Sequence, residues 1–262
     1  PKNILLNLFI IICIGLTNWI KKMKNNNKRW VKTAHNYGTL ENENIDNELH
    51  VILFTPPRTG STLVFNALTE LVRFTTKTHE IMDLVGSEKT VVCVRDPLDW
   101  GASFGRVTRD LSRKDITEGA LLDKDAIDNL ILPNIKKYNS MLDEVCGASN
   151  NILILQYEHI YKSYETMFNA FESFLDIKIS EEKRSSISSS IDIKAVEKIM
   201  KKYTSFSEGD SISSVHGNHI FTGREGSYKD IITPSLLEYY KKRIIETYTD
   251  SKTLSSFYPK KK

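Results

Sequence analysis

The sequence predicts a three-layer α/β fold, with a central, mostly parallel sheet flanked by helices. Three observations carry that prediction. Short, apolar, β-branched runs of strand length recur at Val51-Ile52-Leu53-Phe54-Thr55, at Lys89 to Val94 and at Asn151 to Tyr157. Runs without polar alternation suit strands covered on both faces, which is how parallel sheets are built. Between them lie segments with apolar residues at helical spacing, such as Asp123 to Val145 with Ile127, Leu130, Ile131, Ile135 and Leu142. Strands joined by helices of that length form βαβ units. Finally, 262 residues, 40% hydrophobic and 26% charged, suffice for one domain with a sizeable core.

Ile4 to Ile20 is the one strongly apolar segment, at the short end for a membrane span. A membrane anchor, a signal-peptide core and a buried or interfacial helix all fit it. Its basic flank, Lys21-Lys22-Met23-Lys24, would keep the rest of the chain cytosolic by the positive-inside rule. The expected organisation is an anchor or signal-like segment over 1–20, a polar linker over 21–48 and a single domain over 49–262. The expected location is a membrane with the domain on the cytosolic side, the Golgi lumen and the soluble cytoplasm being the alternatives.

The first strand opens the stretch His50 to Leu68. Pro56-Pro57-Arg58-Thr59-Gly60 then breaks the ladder pattern, and from Ser61 onward Leu63, Ala67, Leu68 and Leu71 recur at helical spacing. A strand, tight loop and helix present free backbone N–H groups at a helix N-terminus, where an anion is favoured. Arg58, Thr59, Ser61 and Thr62 add a cation and hydroxyls. A βα turn can hold Pro, Gly and Ser for structural reasons alone, so the rest of the chain must decide. Phe74 to His79 is a second short strand, Lys89 to Val94 a third, and a helix follows through Trp100 and Phe104. Asn151 to Tyr157 is a fourth strand. Tyr161 to Leu175 is a helix, and Ser180 to Tyr203 one or two more. Thr204 to Tyr228 is a polar surface loop, and Thr233 caps a last helix that starts with Pro234.

The loop is not the ATP-binding P-loop, whose lysine lies between the second glycine and the hydroxyl. Ser61 occupies that place, and the basic residue, Arg58, precedes Gly60. Pro57-Arg58-Thr59-Gly60-Ser61-Thr62 instead resembles the 5′-phosphosulfate loop of sulfotransferases, which use 3′-phosphoadenosine-5′-phosphosulfate (PAPS). Val91 to Ser103, VVCVRDPLDWGAS, resembles the family's 3′-phosphate site, with Arg95 at a strand end and Ser103 eight residues on in the next helix. Arginine suits phosphate because its planar fork donates two bonds at once. Read without the family, Arg95 could instead pair with Asp96 or Asp99. Lys77-Thr78-His79 matches the tripeptide whose histidine is the family's catalytic base, with Glu80 as the alternative base. Leu153 to Leu175 is similar to the family's strand, Tyr-Glu turn and following helix. Phe221 to Thr233 resembles the segment that covers the cofactor: Gly223, Gly226 and Lys229 fit and Tyr228 replaces a tryptophan. The Arg-Lys pair expected before Gly223 is Phe221-Thr222 here, and Arg224 is the substitute candidate for the 3′-phosphate.

The resemblance implies a P-loop-like fold and in-line sulfuryl transfer from PAPS to a hydroxyl or amine. His79 would be the base, Arg58 and Lys77 the charge-neutralising cations, and no metal would be required. The acceptor could be a carbohydrate, small alcohol, phenol, lipid or peptide. Its pocket would come from Thr108 to Asp123 and Thr204 to Phe221. The rival readings are a P-loop kinase-like phosphotransferase and an inactive, sulfotransferase-like binding protein, which the altered Phe221-Thr222 site favours. A net charge of +3 is too small to imply nucleic acid, and three cysteines form no metal or redox spacing.

Overall fold

The computed structural model describes residues 28–32, 38–79, 89–148, 151–217 and 220–248. The apolar run Ile4 to Ile20 and Glu80 lie outside the described residues. Among the described residues no helix is long and apolar enough to cross a membrane.

Among the described residues six strands form the main sheet: β1 (Lys28–Lys32), β2 (Gly38–Asn42), β3 (His50–Phe54), β4 (Phe74–Thr78), β5 (Lys89–Val94) and β6 (Ile152–Gln156). Their order is β1-β2-β4-β3-β5-β6. The last four in that order are mutually parallel, whereas β1 and β2 run antiparallel to each other and β2 antiparallel to β4. The expected α/β sheet is therefore present, with an antiparallel edge. Side chains alternate between its faces. Val51, Leu53, Val91 and Cys93 point to one core, and Phe54, Val92 and Val94 to the other. Helices α1 (Ser61–Leu68), α6 (Tyr164–Leu175) and α7 (Glu181–Ile191) pack in the first core. The second holds α2 (Pro97–Thr108), α4 (Leu132–Ala148) with the π-turn Ala126–Ile131 leading into it, α9 (Tyr228–Ile231) and α10 (Leu237–Tyr248). The remaining helices are α3 (Arg113–Thr117), α5 (Tyr157–Lys162) and α8 (Ile193–Met200).

Three expectations are corrected. The segment 21–48, read as a linker, holds β1 and β2, so among the described residues the sheet already includes Lys28 and does not start at His50. Its polar composition conceals burial because its polar groups have partners. Buried Glu41 lies 2.9 Å from Arg29 and 3.2 Å from Arg73. Thr39 and Thr76 share a 2.6 Å hydroxyl bond, and the Asn42 amide donates to the Thr69 carbonyl at 2.7 Å. The Thr204 to Tyr228 segment is not a plain surface loop. It carries the hairpin β7 (Gly209–Asp210) and β8 (Val215–His216), and Val215 is fully buried. Thr233 does not cap with its side chain, since its hydroxyl donates to the Leu122 carbonyl at 2.9 Å and the following turn is 3-10.

Candidate functional site

The loop after β3 is built by turning its carbonyls into the protein. Four consecutive ones are engaged. The Thr59 hydroxyl donates to the Pro56 carbonyl at 2.8 Å, and the Trp100 indole N–H to that of Pro57 at 2.5 Å. The Arg95 guanidinium donates to the Arg58 carbonyl at 3.3 Å, and the Cys93 thiol to that of Thr59 at 2.7 Å. Arg58 sits at φ 74 and Gly60 at φ 91. Glycine is required at position 60, because a Cβ there would lie 2.4 Å from the Tyr157 ring. Helix α1 then starts at Ser61 with no side chain capping its first amides. Such amides, together with the positive end of the helix dipole, are a ready anion seat.

A cavity of about 1090 Å³, counting its open mouth, lies above this loop. Arg58, Gly60, Ser61, Thr62, Lys77, His79, Arg95, Ser103 and Gly223 line it together. Parallel β3, β4 and β5 place their C-terminal ends side by side, which puts the loop, Lys77-Thr78-His79 and Arg95 on one sheet edge. The Lys77 ammonium donates to the Thr62 hydroxyl at 3.4 Å, and the Arg58 Nε–H to the Ser103 hydroxyl at 3.4 Å. His79 Nδ1 is 2.6 Å from the Thr55 carbonyl. A carbonyl only accepts, so Nδ1 carries the proton and Nε2 is left as an acceptor.

Like charges crowd here. Burial, with repulsion from Arg106 and Arg95, pushes Arg58 down to about 9. Burial and then the Arg58 charge push Lys77 down to about 8. Burial is also the main cause for His79, which falls to about 4 with Lys77 and Arg58 adding to the shift. At neutral pH the lysine is still mostly charged and the imidazole is neutral, the states an anion site and a general base need. Arg95 forms no ion pair with Asp96 or Asp99. Asp96 instead caps α2 through the Leu98 and Asp99 amides, and Asp99 accepts from the Gly226 and Tyr228 amides and the Ser227 hydroxyl. The second contact is what ties the 223–231 segment over α2.

Two sequence candidates fall outside this group. The Thr59 side chain is buried in its own loop, and Arg224 is exposed, paired with Asp230 at 2.5 Å and absent from the main cavity's lining. Of the two stretches expected to form the acceptor pocket, 204–221 lines the cavity with Phe206, Ser214, His216, Ile220 and Phe221, and 108–123 contributes none of it. Tyr161, Tyr164, Ile191, Ile193 and Val196 supply an apolar wall, from stretches that the sequence marks only as helices. Arg106 was also missed; it is almost fully buried three residues after Ser103 on α2 and is pushed down to about 10 by burial and Arg95. Its helical offset from Ser103 was the available signal.

An uncapped helix start, an anchored loop and clustered cations thus meet at the ends of the parallel strands of an α/β protein. Residues 73–252 match the sulfotransferase domain family model, well over half of the chain, and the chain belongs to that family. The matched stretch includes Lys77, His79, Arg95, Ser103 and Gly223 and begins after the loop that follows β3. Among solved structures, mouse sulfotransferase SULT7A1 complexed with PAP is 15% identical, with 80% of this chain and 88% of that chain covered and a TM-score of 0.49. Retinol dehydratase in complex with androsterone and inactive cofactor PAP is also 15% identical, with coverage of 86% and 91% and a TM-score of 0.49. No curated protein sequence matches the chain.

Proposed function

We propose that this sulfotransferase-family chain transfers a sulfuryl group from PAPS to a hydroxyl or amine of an acceptor, with His79 as the general base. The observation that carries the reading is the convergence of Arg58, Lys77, Arg95 and His79 on one cavity above an uncapped helix start. The donor set fits a 3′,5′-bisphosphate nucleotide. Arg95 Nε is buried without a hydrogen-bond partner among the described residues, at the place where a phosphate oxygen would satisfy it.

When bound, PAPS supplies the sulfuryl group and a phosphate leaving group. The chain's own residues do the rest. His79 Nε2 takes the acceptor proton as the acceptor oxygen or nitrogen bonds to sulfur, and the sulfur–oxygen bond to phosphate breaks with its electron pair leaving on that phosphate. Arg58 and Lys77 offset the negative charge that grows there, and Arg95 with Ser103 holds the second phosphate. The stacked and apolar side chains of the far wall keep water from the reacting atoms.

Calorimetry with adenosine 3′,5′-bisphosphate, run beside magnesium-ATP, tests the reading. Binding of the bisphosphate, indifferent to magnesium and lost in Arg95→Ala, is expected. Preference for magnesium-ATP would overturn it in favour of a kinase-like phosphotransferase. Binding of neither would favour an inactive relative, the reading that Phe221 and Thr222 support, since they stand where the family carries Arg-Lys.

A further inference from the structure

Each cavity arginine identified above as a phosphate-site residue rests on an aromatic ring, and each ring is backed by a second ring. The Arg58 guanidinium carbon lies 5.6 Å from the centre of Phe206, whose ring stacks on His216 at 4.9 Å and 28°. The Arg95 guanidinium lies 4.7 Å from the centre of Tyr157, whose ring stacks on Tyr161 at 5.5 Å and 27°. These rings are themselves tethered. The segment bearing Phe206 and His216 is latched to α1, where Asn66 donates to the Ser213 carbonyl at 3.0 Å and Thr62 to that of Ser214 at 3.3 Å. The Tyr157 hydroxyl donates to the Gly223 carbonyl at 3.0 Å.

Arg73 and Arg184 also lie over rings, 5.3 Å from the centre of Phe74 and 5.6 Å from that of Phe168, but carboxylates hold them as well. Arg73 is held by Glu41 and Glu48, and Arg184 by Glu165 and Glu172. A carboxylate fixes a guanidinium and cancels its charge. A ring face fixes it through the quadrupole and leaves the charge whole for an anion. The distinction matters only where the charge is needed.

We propose that Phe206 and Tyr157 are positioning residues that hold Arg58 and Arg95 oriented toward the cavity. The role assigned to the two arginines rests on the proposed function; the seats themselves do not.

Two measurements on the full chain test this. The first needs no ligand: 15N relaxation of the arginine Nε–H groups. Arg58 is expected to be as rigid in Phe206→Trp as in the wild type and mobile in Phe206→Leu, and Arg95 rigid in Tyr157→Phe and mobile in Tyr157→Leu. The second is the affinity for adenosine 3′,5′-bisphosphate in a double-mutant cycle. Phe206→Leu should weaken it roughly 3- to 30-fold, the range of a cation–π contact. It should cost nothing further once Arg58→Ala is present, and Phe206→Trp should stay within about twofold of the wild type. Phe206→Met serves if the leucine variant does not fold. Unchanged arginine rigidity in the leucine variants, or an undiminished Phe206→Leu loss in the Arg58→Ala background, overturns the proposal. The second outcome would mean that Phe206 touches the ligand directly. If the wild type binds no bisphosphate, the functional reading fails while the relaxation experiment still decides the seats.

Discussion

The β1–β2 edge of the sheet and the cavity at its opposite strand ends both place charged groups in or near the interior, in opposite ways. At the edge, buried Glu41 is shared by Arg29 and Arg73, and Lys28 reaches Glu70 at 2.6 Å. Charges there alternate, and the Arg29 and Arg73 side chains keep their full positive character. In the cavity burial and the Arg106 and Arg95 charges depress Arg58, and burial and the Arg58 charge depress Lys77. The first arrangement stabilises the fold. The second costs the protein stability, because buried like charges repel and lose their hydration.

The largest expected effect tests the chemistry of the cavity. His79→Ala should lower kcat by roughly two to four orders of magnitude, the usual range for a general base, with KM for PAPS little changed. A variant that kept near-normal turnover would remove His79 from the reaction. The next effect is in pH. His79 gains its proton only near 4 and Lys77 loses its own near 8, so kcat/KM should be flat between and fall above about pH 8 as the ammonium neutralises. The alkaline fall should move upward in Lys77→Arg. Folding disfavours the charged form of His79, so its contribution to stability is complete above about 6.5 and is lost as pH falls toward 4.

The comparison itself is broken or kept by two melting temperatures. Lys77→Met should raise Tm while abolishing turnover, because it removes a buried cation among cations. Glu41→Gln should lower Tm without touching the cavity, because it strips the counter-charge from two arginines. If both variants shifted Tm in the same direction, the two regions would not differ as described. The smallest effect sharpens the cover. Asn66→Ala removes one hydrogen bond to the Ser213 carbonyl, worth about 0.5–1.5 kcal/mol, and should raise KM for PAPS by about tenfold at most.

Much of the site was legible because it is local. Strand, loop and helix from His50 to Leu68 are adjacent in the chain, and the offset of Ser103 from Arg95 is a property of one strand end and one helix. The periodicity that placed β3, β5 and β6 is equally local. What escaped was decided by partners distant in sequence. Thr39 to Asn42 reads as polar linker until Thr76, Arg73 and Thr69 arrive to satisfy it. Thr204 to Phe221 reads as loop until Ser213 and Ser214 meet Asn66 and Thr62.

By itself, then, the chain determined the parallel α/β core, the strand, turn and helix around Gly60 and which residue types stand at the strand ends, since these follow from spacing over a few residues. Only the tertiary structure decided that Thr59 and Arg224 stand apart from the main cavity, that His79 commits its Nδ1 to the Thr55 carbonyl, and that Phe206 and Tyr157 lie beneath the arginines. Those outcomes depend on which hydrogen bond, ion pair or ring a side chain finds across the fold, and residue identity and spacing do not carry that choice.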